Sequence, residues 1–462
     1  MSGLFGVISS TDCTQHLFYG TDYHSHLGTE VAGLAVLGDH FQHRIHSIAN
    51  TQFKSRFADE MRKMVGASGI GVISDSNPQP FLVSSRIGDF ALATAGLITN
   101  IDELAGELLD SGHSFAEFAF GRINPTELVA KIISCGSSIV DGIEKVFEKI
   151  EGSVSMLVLT REGIYAARDF HGRTPLVIGS SGNAWAVASE SCAFPNLGYK
   201  VVKYLKPGEI IQLTSSGPRS QNKDGRACQI CSFLWIYTGY PASSYEGVSV
   251  ETVRERCGAL LARKDTVEAD LAAGVPDSGT GHAVGYAMQS RLPLRRPLVK
   301  YTSGYGRSYT PPSQETRDLV AKMKLIPIRD IIDGKKIILC EDSIVRGTQL
   351  KNLTIQKLWD NGATEVHMRA ACPPLMFPCK FALSTRSLSE LAARRAIRDL
   401  EGSDVSDVSS YTDPKSPDFK TMVEWIRKDL NVTSLDYLTI DEIVEAIGLP
   451  RESLCTHCWL GD

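Results

Sequence analysis

Apolar positions in the first half of the chain fall into short runs, alternating with polar residues or bounded by turn formers, which is the spacing of β-strands. Leu4 to Ile8, Val31 to Leu37, Gly69 to Ile73, Phe90 to Leu97, Val154 to Leu159, Ile164 to Ala167, Leu176 to Gly179 and Ala184 to Ala188 read this way. Helical spacing interrupts them near Asp102 to Leu109, Pro125 to Ile133 and Ile139 to Phe147. This combination predicts an α+β domain built on antiparallel sheets. The polar, turn-rich segment from Ser215 to Gly225 closes it, so the first domain is expected to span residues 1–225.

The pattern then changes to strands alternating with helices. Val250 to Ala262 has helical spacing, Leu271 to Val275 is strand-like, Gly281 to Ser290 is helical, and Ile337 to Cys340 and Val366 to Ala371 are again strand-like. Alternation of this kind predicts a doubly wound parallel sheet over residues 226–385, with ligands bound at the carboxyl ends of the strands. Residues 386–462 read as a helical extension, with a Ser/Asp-rich surface loop from Ser403 to Asp418 that contains two prolines. No internal repeat is present.

The chemistry concentrates in Lys335-Lys336-Ile337-Ile338-Leu339-Cys340-Glu341-Asp342-Ser343-Ile344-Val345-Arg346-Gly347-Thr348. The apolar run suits a strand covered on both faces, and Leu350, Leu353, Ile355 and Leu358 continue with roughly helical spacing. A loop between a strand's carboxyl end and a helix N-terminus offers free N–H groups and the positive end of the helix dipole to a phosphate, and Gly347 allows close approach. Glu341 and Asp342 can then accept hydrogen bonds from vicinal hydroxyls or hold magnesium. On spacing alone, the same acids could equally cap the following helix.

Composition narrows the class. The chain has 462 residues, enough for two domains, with 43% hydrophobic and 22% charged residues, the profile of a soluble globular protein. A net charge of −5 carries no nucleic-acid footprint. No apolar stretch is long enough to span a membrane, and Met1 to Gly6 has no signal-peptide pattern, so a cytoplasmic enzyme is expected. Eleven cysteines without an export signal imply reduced thiols or metal ligation. Two CxxC pairs, Cys228/Cys231 and Cys455/Cys458, leave a zinc site and an iron–sulfur cluster open on spacing alone.

The run Asp342-Ser343-Ile344-Val345-Arg346-Gly347-Thr348 closely resembles the phosphoribosyl diphosphate (PRPP) motif of type I phosphoribosyltransferases, in the version found in the amidophosphoribosyltransferase family. Further similar segments are Gly3 to Val7, Val146 to Gly152, Ala166 to Leu176, Ala188 to Cys192, Val275 to Thr280 and Lys322 to Arg329, so the resemblance runs along nearly the whole chain. It implies an N-terminal nucleophile-hydrolase-like glutaminase sandwich followed by an α/β type I phosphoribosyltransferase domain. It further implies that Glu341 and Asp342 meet ribose hydroxyls and magnesium, that Ser278 supplies a magnesium-associated hydroxyl, and that Ser343, Ile344, Val345, Arg346, Gly347 and Thr348 wrap the 5′-phosphate. Arg307 is the retained arginine of the loop that closes over PRPP. The family usually has Asp where this chain has Glu341. Cys231, Cys379, Cys455 and Cys458 match the ligands of a structural [4Fe–4S] cluster in one branch of the family, whereas Cys228 and Cys372 match no ligand position.

The departures lie mostly in the glutaminase half. The family's nucleophilic Cys is replaced by Ser2, its carboxylate-gripping Arg by Ser74, its side-chain oxyanion donor by Ala95, and its amine-binding Asp by Pro125. In the transferase half, Lys300 to Ser308 is one residue longer than the family's flexible loop and lacks its Asn-Arg pair. The expected activity is therefore transfer of ammonia or another amine to C1 of ribose 5-phosphate from PRPP, forming phosphoribosylamine for purine synthesis, without glutamine hydrolysis at Ser2. The alternative is a non-catalytic PRPP- or nucleotide-binding pseudoenzyme or regulatory subunit. Magnesium, a [4Fe–4S] cluster, nucleotide effectors and a homo-oligomer are further expectations of the resemblance.

Overall fold

The computed structural model describes residues 2–75, 77–116, 118–119, 122–222, 228–301, 323–381 and 387–461. Two antiparallel sheets form the N-terminal half. One has the strand order 200–204, 177–181, 184–188, 3–9, 68–74, 31–37, 41–47, and the other 217–220, 210–214, 163–167, 152–160, 88–98, 81–85. They stack face to face over Leu4, Ile70, Val72, Ala91, Ala93, Leu157 and Leu159, all fully buried. Helices Thr14–Asp22 and Phe53–Met61 cover the outer face of the first sheet, and Ile101–Asp110, Pro125–Ser134 and Ile139–Lys149 that of the second. The result is a four-layer sandwich of the expected α+β class.

Strands with two buried faces match the sequence expectation, because each of their residues is apolar or small. Strands Phe41–Ser47 and Lys200–Tyr204 were not foreseen: both lie at the edges of their sheet, and residues such as His43, Arg44, Lys200 and Lys203 mask the alternation. Gly217–Ser220 corrects the expected boundary, since the first part of that polar segment is an edge strand paired with Ile210–Thr214.

The C-terminal half is organised on a four-stranded parallel sheet, order Leu271–Gly274, Lys336–Glu341, Glu365–Ala370, Ser434–Tyr437. Helices Val250–Lys264 and Thr280–Ser290 pack on one face. Ala392–Glu401 and Pro417–Leu430 pack on the other. The strand Ser434–Tyr437 corrects the reading of residues 386–462 as a purely helical extension. Four residues, three half-buried and one buried, carry too short a pattern to be told from a helix turn. The expected loop at Ser403–Asp418 is likewise shorter than read: Ser409–Thr412 is a helical turn, and Pro417 and Asp418 open a helix, Pro occupying its favoured first position behind the Ser416 cap.

One ion pair ties the sheet to the helices. Asp265, just past the helix Val250–Lys264, takes a two-pronged hydrogen bond from Arg369 (Nε–Oδ2 2.5 Å, Nη2–Oδ1 3.0 Å) and a third from Tyr286 Oη at 2.6 Å. Burial alone would raise the Asp265 carboxyl, but the Arg369 and Tyr286 hydrogen bonds outweigh it and hold it below the ordinary aspartate value. Removing one member leaves a buried charge unpaired. Asp265→Ala is therefore expected to destabilise this half by about 3–5 kcal/mol, read as a lowered midpoint in urea unfolding.

Candidate active sites and a four-cysteine cavity

The carboxyl ends of the first two parallel strands meet at one corner. Val275 N–H donates to Cys340 O (3.0 Å), and the loop from Val275 to Thr280 folds back on the strand end. Only glycine fits there: a Cβ on Gly279 would sit 2.2 Å from Cys340 O, and one on Gly274 would sit 2.4 Å from Gly279 O. This close packing brings Ser278 Oγ to 2.6 Å from Glu341 Oε1, which also accepts the Asp342 backbone N–H at 3.0 Å. Asp342 in turn accepts the Ser343 hydroxyl. Both acids are buried. Burial first, and then the neighbouring Asp342 charge, push the Glu341 carboxyl well above the ordinary glutamate value.

The rest of the loop is anchored from beneath. Ile344 is buried in the core, and Val345 O accepts the N–H of Ala392 at 2.8 Å. Arg346 pairs with Glu390 at 2.6 Å, and its carbonyl accepts from Arg395 at 2.8 Å. Gly347 has φ +76°, a left-handed conformation that favours glycine, and its carbonyl accepts Lys351 N–H at 2.8 Å to start the helix. Helical residues follow from Thr348, so the loop does precede a helix N-terminus, although the turn Leu350–Ile355 is π-type. Ser278, Glu341, Asp342 and Ser343 thus form one hydrogen-bonded group. Arg307 and Ser308 lie outside the described residues.

At the N-terminal end of the sandwich, Ser2 Oγ lies 3.4 Å from Ser74 Oγ. A chain of neutral hydrogen bonds continues from there: Asn77 N–H to Ser74 Oγ (3.5 Å), Asn77 Nδ2 to Asn124 Oδ1 (3.0 Å) and to Thr126 Oγ1 (2.7 Å), and Thr126 Oγ1 to Thr94 Oγ1 (2.7 Å). Gln79 closes it, accepting Thr94 N–H at 2.7 Å and donating to Thr94 O at 3.1 Å. Ala95 follows Thr94 on the strand, and Pro125 follows Asn124, whose side chain caps the helix through Thr126 N–H. Hydrogen bonding therefore joins Ser2 and Ser74 to one buried polar cluster, while Ala95 and Pro125 are chain neighbours of its members Thr94 and Asn124, Ala95 packing in the apolar core between the sheets. Asn77, Gln79, Thr94, Asn124 and Thr126 escaped the sequence reading. The only signal was a set of uncharged polar residues within otherwise apolar elements.

A third site joins distant cysteines. Cys231 and Cys455 are opposite one another in a short parallel ladder, Cys458 sits on the turn His457–Leu460, and the Cys458 carbonyl accepts Met376 and Phe377 N–H at 2.9 and 3.1 Å, drawing in the segment that carries Cys379. All four cysteines line one cavity of about 60 Å³. Burial and then the nearby Cys455 and Cys379 raise the Cys231 thiol, while a hydrogen bond with Cys379, then burial, raises Cys458. Among the described residues, no group of three or more His, Cys, Asp or Glu is set to hold a single metal ion. Cys372 is fully buried in the apolar core, and Cys228 packs against it.

The raised Glu341 carboxyl has a defined pH consequence. Above the ordinary glutamate value the unfolded chain loses the proton that the folded chain keeps, so stability falls as pH rises toward the folded value. Glu341→Gln removes this loss. Its unfolding midpoint relative to the unsubstituted chain is expected to rise between about pH 5 and pH 8, as checked by thermal melts across that range.

The glutamine amidotransferase domain model matches residues 68–196. An amidophosphoribosyltransferase of Methanocaldococcus jannaschii is 31% identical over 490 residues, covering 100% of this chain and 97% of its own, and that of Bacillus subtilis is 30% identical, covering 99% and 92%. The solved structure of the B. subtilis glutamine PRPP amidotransferase complexed with ADP and GMP superposes with a TM-score of 0.85 at 29% identity, covering 100% of this chain and 96% of that one. A structure described as the allosteric regulatory enzyme of purine biosynthesis gives 0.86 at 29% identity, covering 100% and 95%. The sandwich and the parallel-sheet domain are thus shared over the full length of the chain, and with relatives at 30% identity or more covered almost end to end, the chain belongs to the amidophosphoribosyltransferase family.

Proposed function

We propose that this chain transfers ammonia, or another small amine, to C1 of ribose 5-phosphate from PRPP, and does not hydrolyse glutamine. The observation that carries the second half is the neutral cluster around Ser2. Glutamine presents an α-carboxylate and an α-ammonium, and a glutaminase must hold both while donating to a developing oxyanion. The hydrogen-bonded chain from Ser2 to Gln79 contains no charged side chain, and its members satisfy one another. Ala95 offers no side-chain donor, and loss of one such donor costs about 3–4 kcal/mol of transition-state stabilisation. The match to the glutamine amidotransferase domain model speaks for the scaffold, and this reading concerns the chemistry left on it.

The transferase half supports the first part. Ser343 to Thr348 would wrap the 5′-phosphate at the helix start, where unpaired N–H groups favour an anion. Glu341 and Asp342 would accept hydrogen bonds from the ribose hydroxyls, and with Ser278 they would hold magnesium, a hard cation suited to these oxygen donors. Bound magnesium supplies charge neutralisation to the leaving diphosphate. The amine nitrogen forms a bond to C1 as the C1–O bond breaks, the electron pair leaves with the diphosphate, and the nitrogen then sheds a proton. Glu341 has to leave its contact with Ser278 to serve as a ligand here. Purine nucleotides as effectors and a homo-oligomeric state belong to the same reading, in line with the ADP and GMP of the B. subtilis complex.

The four-cysteine cavity fits a [4Fe–4S] cluster better than a single zinc ion. A zinc ion needs four sulfurs within about 2.3 Å of one point, whereas each cluster thiolate binds a different iron, which suits four cysteines spread round a cavity. Cys231, Cys379, Cys455 and Cys458 would hold it in a structural role.

The Glu341 contact with Ser278 favours one second reading, a non-catalytic PRPP or nucleotide binder in which that contact persists. Diphosphate release decides between them. With PRPP and magnesium, release is expected with ammonium but not with glutamine, and no glutamate is expected to form. Ser2→Cys alone is not expected to create glutaminase activity. Tight PRPP binding with no release for any amine would replace the first reading by the second.

A further inference from the structure

The four-cysteine cavity has a fifth wall that no cysteine supplies. Arg173, on the loop Arg168–Leu176 of the N-terminal sandwich, lines it together with Phe233, Phe381 and Trp459. Arg173 is only 7% exposed. Its Nη2 donates to Gln229 Oε1 at 2.7 Å, and its guanidinium lies 3.3 Å over the ring of Phe381, two residues beyond Cys379. Yet its Nε and Nη1 are buried without a hydrogen-bond partner among the described residues. Among the described residues, no carboxylate pairs with it. Glu190 lines the same cavity but spends its charge elsewhere, on His26 (3.0 Å), Tyr245 Oη (2.7 Å) and Ser243 Oγ (3.1 Å).

A buried guanidinium with two idle donors is costly unless an anion completes it. An iron–sulfur cluster with four thiolate ligands carries net negative charge, and its potential and retention depend on nearby charge and on hydrogen bonds to its sulfurs. We propose that Arg173 is the counter-ion of a cluster held by Cys231, Cys379, Cys455 and Cys458, so that the N-terminal domain, which supplies no ligand, governs how firmly the cluster is kept. This rests on the cluster reading above. The arrangement also gives the sandwich a retained task without glutamine chemistry. Arg173 reaches the cavity from one domain, while Gln229 and Phe381, which hold its side chain, come from the other. Arg173 is a positioning and charge-balancing residue and touches no reacting substrate.

The test uses the full chain, reconstituted with iron and sulfide without oxygen, as unsubstituted protein, Arg173→Met and Arg173→Lys. Iron release to a chelator, the reduction midpoint and the melting temperature of the iron-free form are measured for each. Arg173→Met is expected to release iron about tenfold faster, with a more negative midpoint, because an added electron has lost a buried positive charge that lines the cavity. Its iron-free form is expected to melt no lower than the unsubstituted iron-free chain, since the variant removes an unpaired buried charge. Arg173→Lys keeps the charge and is expected to restore the midpoint. A loaded Arg173→Met with unchanged iron release and midpoint overturns the assignment. So does an iron-free Arg173→Met that melts lower in step with the loaded form, which marks a purely structural role. Unsubstituted protein that takes up no iron overturns the cluster reading itself, a result distinct from either.

Discussion

Two adjacent carboxylates at the buried end of one strand set the terms for the transferase half. Glu341 and Asp342 sit where strand Lys336–Glu341 leaves the sheet, and the backbone packing that holds them there also removes the water that would stabilise both charges. The conflict is eased locally. Burial and the Asp342 charge push the Glu341 carboxyl well above the ordinary glutamate value, and it takes the Ser278 hydroxyl and the Asp342 N–H, while Asp342 takes the Ser343 hydroxyl. The extra methylene of Glu341, relative to the usual Asp of the family, gives its carboxylate the reach to fold back on its own loop. A cation and a polyhydroxyl sugar would resolve the same conflict differently, which is why this corner reads as a binding site and not as a helix cap.

The sandwich obeys the opposite constraint. Among the described residues, the hydrogen-bonded chain that runs from Ser2 through Ser74, Asn77, Asn124, Thr126 and Thr94 to Gln79 is made of uncharged side chains. The domain is held to its partner by interactions that do not involve that cluster. Arg168 pairs with the Glu246 carboxylate at 2.6 Å, and buried Glu190 links His26 to Tyr240, Ser243 and Tyr245. Burial by itself would raise Glu190, but the hydrogen bond and charge of His26 and the other donors hold it at about 2. The packing of the domain against the rest of the chain therefore rests on contacts independent of the residues around Ser2.

What could be read directly was what depends on local pattern. Runs such as Ile337 to Cys340 and Val31 to Leu37 announce strands because their buried positions are contiguous, and the acid-acid-loop-glycine order stands out at a strand end because its groups are neighbours in sequence. Elements with mixed surfaces were not legible. Phe41–Ser47 and Lys200–Tyr204 mix charged and apolar side chains at sheet edges, and Ser434–Tyr437 is too short for any period to show.

The sequence by itself determined the family, the acid-acid-loop-glycine run from Glu341 to Thr348 and the residues at Ser2, Ser74, Ala95 and Pro125, since each is a matter of residue identity within a motif. Only the tertiary structure decided that Ser278 closes on Glu341, that Asn77, Gln79, Thr94, Asn124 and Thr126 fill the space beside those residues, and that Arg173 faces four cysteines drawn from 228 residues of chain, Cys231 to Cys458. These contacts join positions tens to hundreds of residues apart. Which distant groups meet depends on strand register and domain packing, neither of which leaves a local mark in the chain.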